Sequence, residues 1–179
     1  MAIKRFFCDA DNTITNAFKS NLTTRGTGSN MGASDILEVF SIYAHASTSS
    51  VEKSRALLKF PVSDILTSRN SEDIPLSGNV KFFLRVFNAP HNETLPKNFD
   101  LAVLPISRSW SEGSGLDMVS YSDEFASNWV KATQAVSWTT QGGDFHEVGY
   151  TAGRNLPHYK QTFNNGTENL NVNITALVE

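Results

Sequence analysis

Acidic residues interleaved with tryptophan are the first feature of this sequence that could do chemistry. Glu112, Asp117, Asp123, Glu124 and Asp144 fall within the stretch from Trp110 to Phe145, which also carries Trp129 and Trp138 and so holds all three tryptophans of the chain. A glycosidase needs two carboxylates flanking a glycosidic bond, one to protonate the leaving oxygen and one to attack or to activate water. Indole rings stack on pyranose faces when they project from a sheet. Glu112 and Asp144 are the best-placed carboxylate pair for a polysaccharide-degrading enzyme, and Trp110, Trp129 and Trp138 form the candidate carbohydrate-binding platform. The same residues have a plainer use. Asp, Gly and Ser meet turn geometry, and large apolar anchors pin a long connection onto the body of a protein. Loop-pinning is the favoured reading, and no catalytic residue is assigned.

The remaining chemistry is thinner. His45, His91, His146 and His158 are far apart and none pairs at metal-ligand spacing, so no metal is expected. Asp9-Ala10-Asp11-Asn12 places carboxylates two apart, as a calcium loop would. It lacks the central Gly and distal Glu, and reads as an Asx turn. Gly26, Gly28 and Gly32 are spaced superficially like a phosphate loop, yet no Gly-Lys-Ser/Thr follows, so Lys19 to Ser34 is expected to be a polar loop or extended arm. There is no Gly-x-Ser-x-Gly elbow. Cys8, the single cysteine, excludes an internal disulfide framework and is expected to pack as a small apolar side chain. Asn21, Asn92, Asn165 and Asn173 open Asn-x-Ser/Thr sequons, which a chain this rich in Asn, Ser and Thr produces by chance. No cofactor is expected.

Composition sets the outer bounds. The net charge of −3 comes without any run of Lys or Arg, which removes nucleic acid as a direct partner. No window approaches the apolar length of a membrane span, so no membrane insertion is expected. Met1-Ala2-Ile3-Lys4-Arg5-Phe6-Phe7 has a charge pair but no apolar core and no cleavage site, which predicts synthesis in the cytosol without a signal peptide. Charged residues make up only 18% of the chain, and Ser, Thr, Asn and Phe are abundant, a mix that suits strands better than long helices.

The elements that must position these residues read as strands. The first is expected over Ala2–Asn12, with β-prone Thr13–Phe18 after it. Asp35–Tyr43 alternates with apolar side chains on both faces, which predicts a central strand covered by a second layer or a partner subunit. His45–Ser50 is a turn. Arg55–Phe60 is the next strand, with Ala56, Leu58 and Phe60 inward and Arg55, Leu57 and Lys59 outward, stopped by Pro61. Val62–Gly78 is a connector in which Asp64-Ile65-Leu66 makes one helical turn. Val80–Phe87 carries the clearest strand pattern, with Val80, Phe82, Leu84 and Val86 on one face, and Asp100–Ile106 is its antiparallel return. Ser122–Trp129 is read as a short helix, Ala135–Trp138 as a short strand, and Val148 and Tyr150 as lying on another. Asn155–Asn169 is a polar loop. Leu170, Val172 and Ile174 mark a last amphipathic strand before the beginning of a helical turn at Thr175–Glu179. The fold class expected is all-β, an antiparallel β-sandwich or jelly roll with long loops and at most short helical turns.

A resemblance accompanies this pattern. The order Asn30-x-Gly32 with Leu37-x-Val39, then Ser54-Arg55-Ala56-Leu57-Leu58-Lys59-Phe60, Trp110-x-Glu112-Gly113, Asn128-Trp129, Trp138 and Gly142-Gly143-Asp144 resembles the DNRLRE domain family. Asn173-Ile174-Thr175-Ala176-Leu177-Val178 is similar to that family's Asp-Val-Thr-x-x-Val segment, with Asn in place of Asp. The likeness runs from Asp9 to Val178. It implies a jelly-roll module, also classed among carbohydrate-binding modules, whose final Trp and strand would lie beyond Glu179. On this reading residues 1–18 are an N-terminal strand and attachment segment, and 19–179 a jelly-roll domain lacking its last strand. The opening Met1–Phe6 without a signal peptide also resembles structural proteins of tailed bacteriophages. Together these imply a non-enzymatic virion component: a tail fibre, neck appendage or capsid-surface protein. The partners implied are other virion proteins, further copies of the chain and host-surface glycan. Ile3, Phe6 and Phe7 are the candidate assembly interface. The alternative is a carbohydrate-binding module working through the three tryptophans.

Overall fold

The computed structural model describes residues 3–75, 80–91, 94–117, 126–146 and 159–179. The chain divides into two compact units, Met1–Ile65 with Ile106–Asp144, and Leu66–Pro105 with Phe145–Glu179. Strands predominate, in small antiparallel sheets, and the described residues contain two short helices.

The first unit is built on a three-stranded antiparallel sheet of β1 (Ala10–Thr15), β2 (Ser41–Tyr43) and β3 (Val51–Lys59), in the order β1-β3-β2. Thr13, Ile14 and Thr15 supply the β propensity of β1. Pairing in register from Ala10 opposite Lys59 to Thr15 opposite Ser54 draws Asp11 and Asn12 into the ladder. The acidic stretch Asp9–Asn12 is therefore mostly strand and not the expected turn, while residues 3–8 form no strand. The central strand is β3. Asp35–Tyr43, expected in that position, contributes only its last three residues, as an edge strand exposed along its length. Residues 38–40 are fastened across β1 and β3 by side chains instead: Glu38 N–H donates to Thr13 Oγ1, Ser54 Oγ donates to the Glu38 carbonyl, and Phe40 N–H donates to Ser54 Oγ. Pro61 follows the end of β3, as expected.

The inward face of β3 is the reverse of the expected one. Leu57 joins the core with Ile14, Trp129, Ala132 and Trp138, and Ile106 and Trp110 pack against that cluster. Arg55 shares this face because its guanidinium lies over the Trp129 ring, 5.2 Å from the centroid. A cation–π contact and the aliphatic stem let an arginine occupy an apolar face. The expected strand at Ala135–Trp138 is reduced to a single bridge between Lys131 and Ser137 around a tight turn.

In the second unit β4 (Phe83–Val86) pairs with β7 (Leu170–Asn173), and β5 (Phe99–Ala102) with β6 (Lys160–Phe163), both antiparallel. The alternation read over 80–87 is present, with Leu84 buried and Phe83 and Phe87 exposed. The antiparallel return of β4 comes from β7, not from the segment after it. β6 arises within the expected polar loop, where Phe163 stacks on Phe99 with ring centroids 5.0 Å apart. The two ribbons are stitched by one side chain: Gln161 Nε2 donates to the Asn169 carbonyl and Asn171 N–H donates to Gln161 Oε1. The helix α1 (Val62–Asn70) is longer than the single turn expected, with Asp64 in its first turn and Arg69 in its last, as the helix dipole favours. Its one buried residue is Ser68, so no apolar period advertises it. The closing turn α2 (Thr175–Val178) stands where it was expected. The short helix read over Ser122–Trp129 is absent from its described part, residues 126–129, and the rest of it lies outside the described residues, as do Val148, Tyr150, His158 and Asn92.

Candidate functional site

In the first unit asparagines knot three separate stretches of chain together. Asn30 is fully buried, and its side chain makes four hydrogen bonds. Its Nδ2 donates to the Glu112 carbonyl at 2.6 Å and to the Ser127 carbonyl at 2.9 Å. Its Oδ1 accepts from Gly115 N–H at 2.8 Å and Gly32 N–H at 3.1 Å. Asn12, also fully buried, donates to Ser127 and accepts from Met31 N–H. The Lys19–Ser34 loop is thus no extended arm: its end, Ser29–Met31, is buried. Gly115 is required here because a Cβ would stand 1.9 Å from the Asn30 carbonyl oxygen.

The tryptophans serve the same closure. Trp129 is 6% exposed and Trp138 5%. Trp138 Nε1 donates to the Asn128 carbonyl, and Trp129 N–H to the Thr27 carbonyl. Arg55 covers the Trp129 ring and donates to the Gly142 carbonyl at 2.5 Å. Gly142 sits at φ +92°, where a Cβ would meet both Arg55 and the indole. A stacked sugar needs an open ring face. Trp129 and Trp138 have none, which corrects their assignment to a binding platform. Trp110 remains half-buried at the edge of the cluster.

Glu112 and Asp144 are committed to structure. Glu112 Oε1 accepts from Asp11 N–H at 2.7 Å, on the outward edge of β1. Burial, followed by the negative Glu112 beside it, raises the Asp11 carboxyl above its ordinary pKa. Asp144 accepts from Thr139 and Thr140 N–H and from Arg108 Nε at 2.5 Å. Those backbone donors first, and then Arg108, hold its carboxyl well below the usual range. A general acid needs the opposite shift. The pair Glu112 and Asp144 therefore has the bonding of a strand cap and a turn clamp. Beside the clamp lies an open cleft of about 450 Å³ lined by Ser107, Arg108, Ser109, Thr133 and Val136.

Three further features belong to the first unit. Glu52, 1% exposed, accepts from Phe18 N–H at 2.8 Å and lies 3.0 Å from His45 Nδ1, a buried carboxylate that strand alternation alone did not reveal. Ahead of the sheet, Ile3 is 74% and Phe7 78% exposed, with Phe6 half-buried. Cys8 donates to the Ala10 and Lys59 carbonyls, and burial raises its thiol pKa, which disfavours the reactive thiolate. Among the described residues no group of three or more His, Cys, Asp and Glu is arranged to hold a metal ion, and no helix is long and apolar enough to cross a membrane. Compared with protein-family models, with curated proteins and with solved structures, the chain matches none.

Proposed function

We propose that this chain is a non-enzymatic structural component of a tailed-bacteriophage virion, built on a jelly-roll-type β scaffold and acting through protein–protein assembly. The observation that carries the reading is the division of labour in the first unit. The residues that invited a catalytic or sugar-binding role (Glu112, Asp144, Trp129, Trp138) are consumed by internal packing, while Ile3 and Phe7 are offered outward ahead of β1. Apolar side chains presented before a sheet begins are what an attachment segment requires. The jelly-roll assignment and the phage source rest on the resemblance in motif order; of its pieces, Asn30, Gly32 and Glu112 meet in one hydrogen-bonded group and Trp110, Trp129 and Trp138 in one apolar cluster. In this reading the protein is made in the host cytoplasm, needs no cofactor, and works in the particle with other virion proteins and copies of itself. Mass spectrometry and immunogold labelling of purified particles test it: the chain is expected at stoichiometric copy number, and its absence from particles would end the proposal.

A second reading, glycan attachment, draws on the open cleft next to the Asp144 clamp and on the half-buried Trp110, which follows the lining residue Ser109 in the chain. Ser107, Arg108, Ser109 and Thr133 line it, and polar side chains of this kind hydrogen-bond sugar hydroxyls. Glycan-array binding that disappears in Trp110→Ala would support it; an array without hits would remove it.

A further inference from the structure

The two edges of the three-stranded sheet are treated differently. At the β1 edge the outward N–H of Asp11 is capped by the Glu112 carboxylate. At the β2 edge, Phe40 and Ala44 turn their backbone groups toward β3, through Ser54 N–H to the Phe40 carbonyl and Ala44 N–H to the Ser50 carbonyl. Antiparallel alternation then points the N–H and C=O of Ser41 and Tyr43 away from the sheet. The edge carries Ile42 and Tyr43, 39% and 69% exposed, with Ile36 and Val39 exposed just before it. It has neither the Lys nor the Pro that natural edges use against further pairing.

The segment Ile3–Phe7 has the complementary character. It is β-prone and apolar, and it belongs to no strand. It holds Lys4 and Arg5 and no carboxylate, whereas Asp35–Tyr43 holds Asp35 and Glu38 and no base. Resting on the assembly reading above, we infer that Ile3–Phe7 of one copy adds as a strand, in a second copy, to the edge of β2 that is unpaired among the described residues.

Reach decides that the partner is another copy. The segment leaves the sheet beside Lys59, at the β1 edge, while β2 lies opposite Val51–Lys53. Moving from the level of Lys59 to that of Lys53 takes about 20 Å along the strands, and passing beyond β2 takes about 14 Å across them. The direct path is about 24 Å. Ile3–Cys8 fully extended spans at most about 20 Å, so it cannot pair with its own β2. Because donor and acceptor surfaces differ, the contact closes either by reciprocal exchange in a dimer or around a ring.

Two variants test this on the full chain. Ile3→Asp/Phe7→Asp spoils the donor at side chains that are already exposed. Tyr43→Pro removes one outward N–H, and proline is tolerated on an edge facing solvent. Circular dichroism and the melting transition report that each variant is folded. By sedimentation equilibrium the wild type is expected to self-associate, and each variant alone to do so at least about tenfold more weakly. An equimolar mixture of the two variants, one keeping its edge and the other its donor segment, is expected to recover a 1:1 complex. A monomeric wild type, variants that associate as the wild type does, or a mixture that stays monomeric would each overturn the inference. A monomeric wild type in a chain still found in purified particles would leave the assembly reading intact and place another protein on this edge.

Discussion

At the residue scale, buried amides carry more of this structure than any charged group. Asn30 satisfies four backbone groups belonging to stretches far apart in sequence. Replacing it with Ala leaves buried donors and acceptors without partners, and each such group costs roughly 1–3 kcal/mol. Asn30→Ala is expected to lower unfolding stability by about 3 kcal/mol or more in urea titration, whereas Asn21→Ala, in an exposed turn, should stay within about 0.5 kcal/mol. Asp144 makes a pH-dependent contribution of definite sign. Its folded pKa is depressed, chiefly by Thr139 and Thr140 N–H. Its stabilisation is therefore complete above the ordinary carboxylate value near about 4 and is lost as pH falls below it. Melting temperatures of wild type and Asp144→Asn should differ at pH 7 and converge toward pH 2. A gap that stays constant across that range would show that the carboxylate charge is not what clamps the turn.

At the element scale, the glycines and tryptophans of the long connection act as fasteners. Gly115→Ala forces a methyl group into the Asn30 carbonyl, and backbone cannot move aside cheaply. It is expected to lower the melting temperature far more than Gly28→Ala, in the preceding loop. Trp129 and Trp138 are buried and Trp110 half-buried, so tryptophan emission should be blue-shifted and poorly quenched by iodide. Trp110→Phe should remove most of the quenchable fraction; strong iodide quenching that persists without Trp110 would contradict the packing described for the other two. The elements also show where pattern reading holds. Alternation over Val80–Phe87 and Leu170–Ile174 located both strands, and their buried residues Leu84 and Val172 each fall on one of the faces that alternation separates. It misplaced the inward face of β3, because both faces of that strand are covered. There the tryptophan-bearing connection, and not the strand's own residues, selects Leu57 and Arg55 as core-facing.

At the scale of the whole molecule, the unpaired edge and the exposed leading segment make self-association the testable property. Anything that binds only the folded state raises its melting temperature with concentration. The wild-type transition should move upward as protein concentration is raised, and that of Ile3→Asp/Phe7→Asp should not. A concentration-independent wild-type transition would argue for a chain that stands alone until another protein engages it.

Local chemistry was enough to read this as a β-rich chain of short strands with polar turns, without a metal-ligand motif, and with all three tryptophans in one glycine-rich connection. Those properties follow from side-chain propensity, alternation and spacing, which neighbours in the chain impose on one another. Pairing was beyond that reach. Whether Phe83–Val86 meets β5 or β7, whether Asp9–Asn12 turns or extends, and whether Glu112 is an acid or a strand cap depend on contacts with segments remote along the chain, from Leu57 opposite Asn12 to Glu112 at Asp11, 101 residues away. Such contacts form because buried backbone groups must find partners wherever the folded chain offers them. The tryptophans illustrate the division. Their composition and spacing favoured a pinned loop over a sugar platform, and the core that closes over Trp129 and Trp138 is what a pinned loop requires.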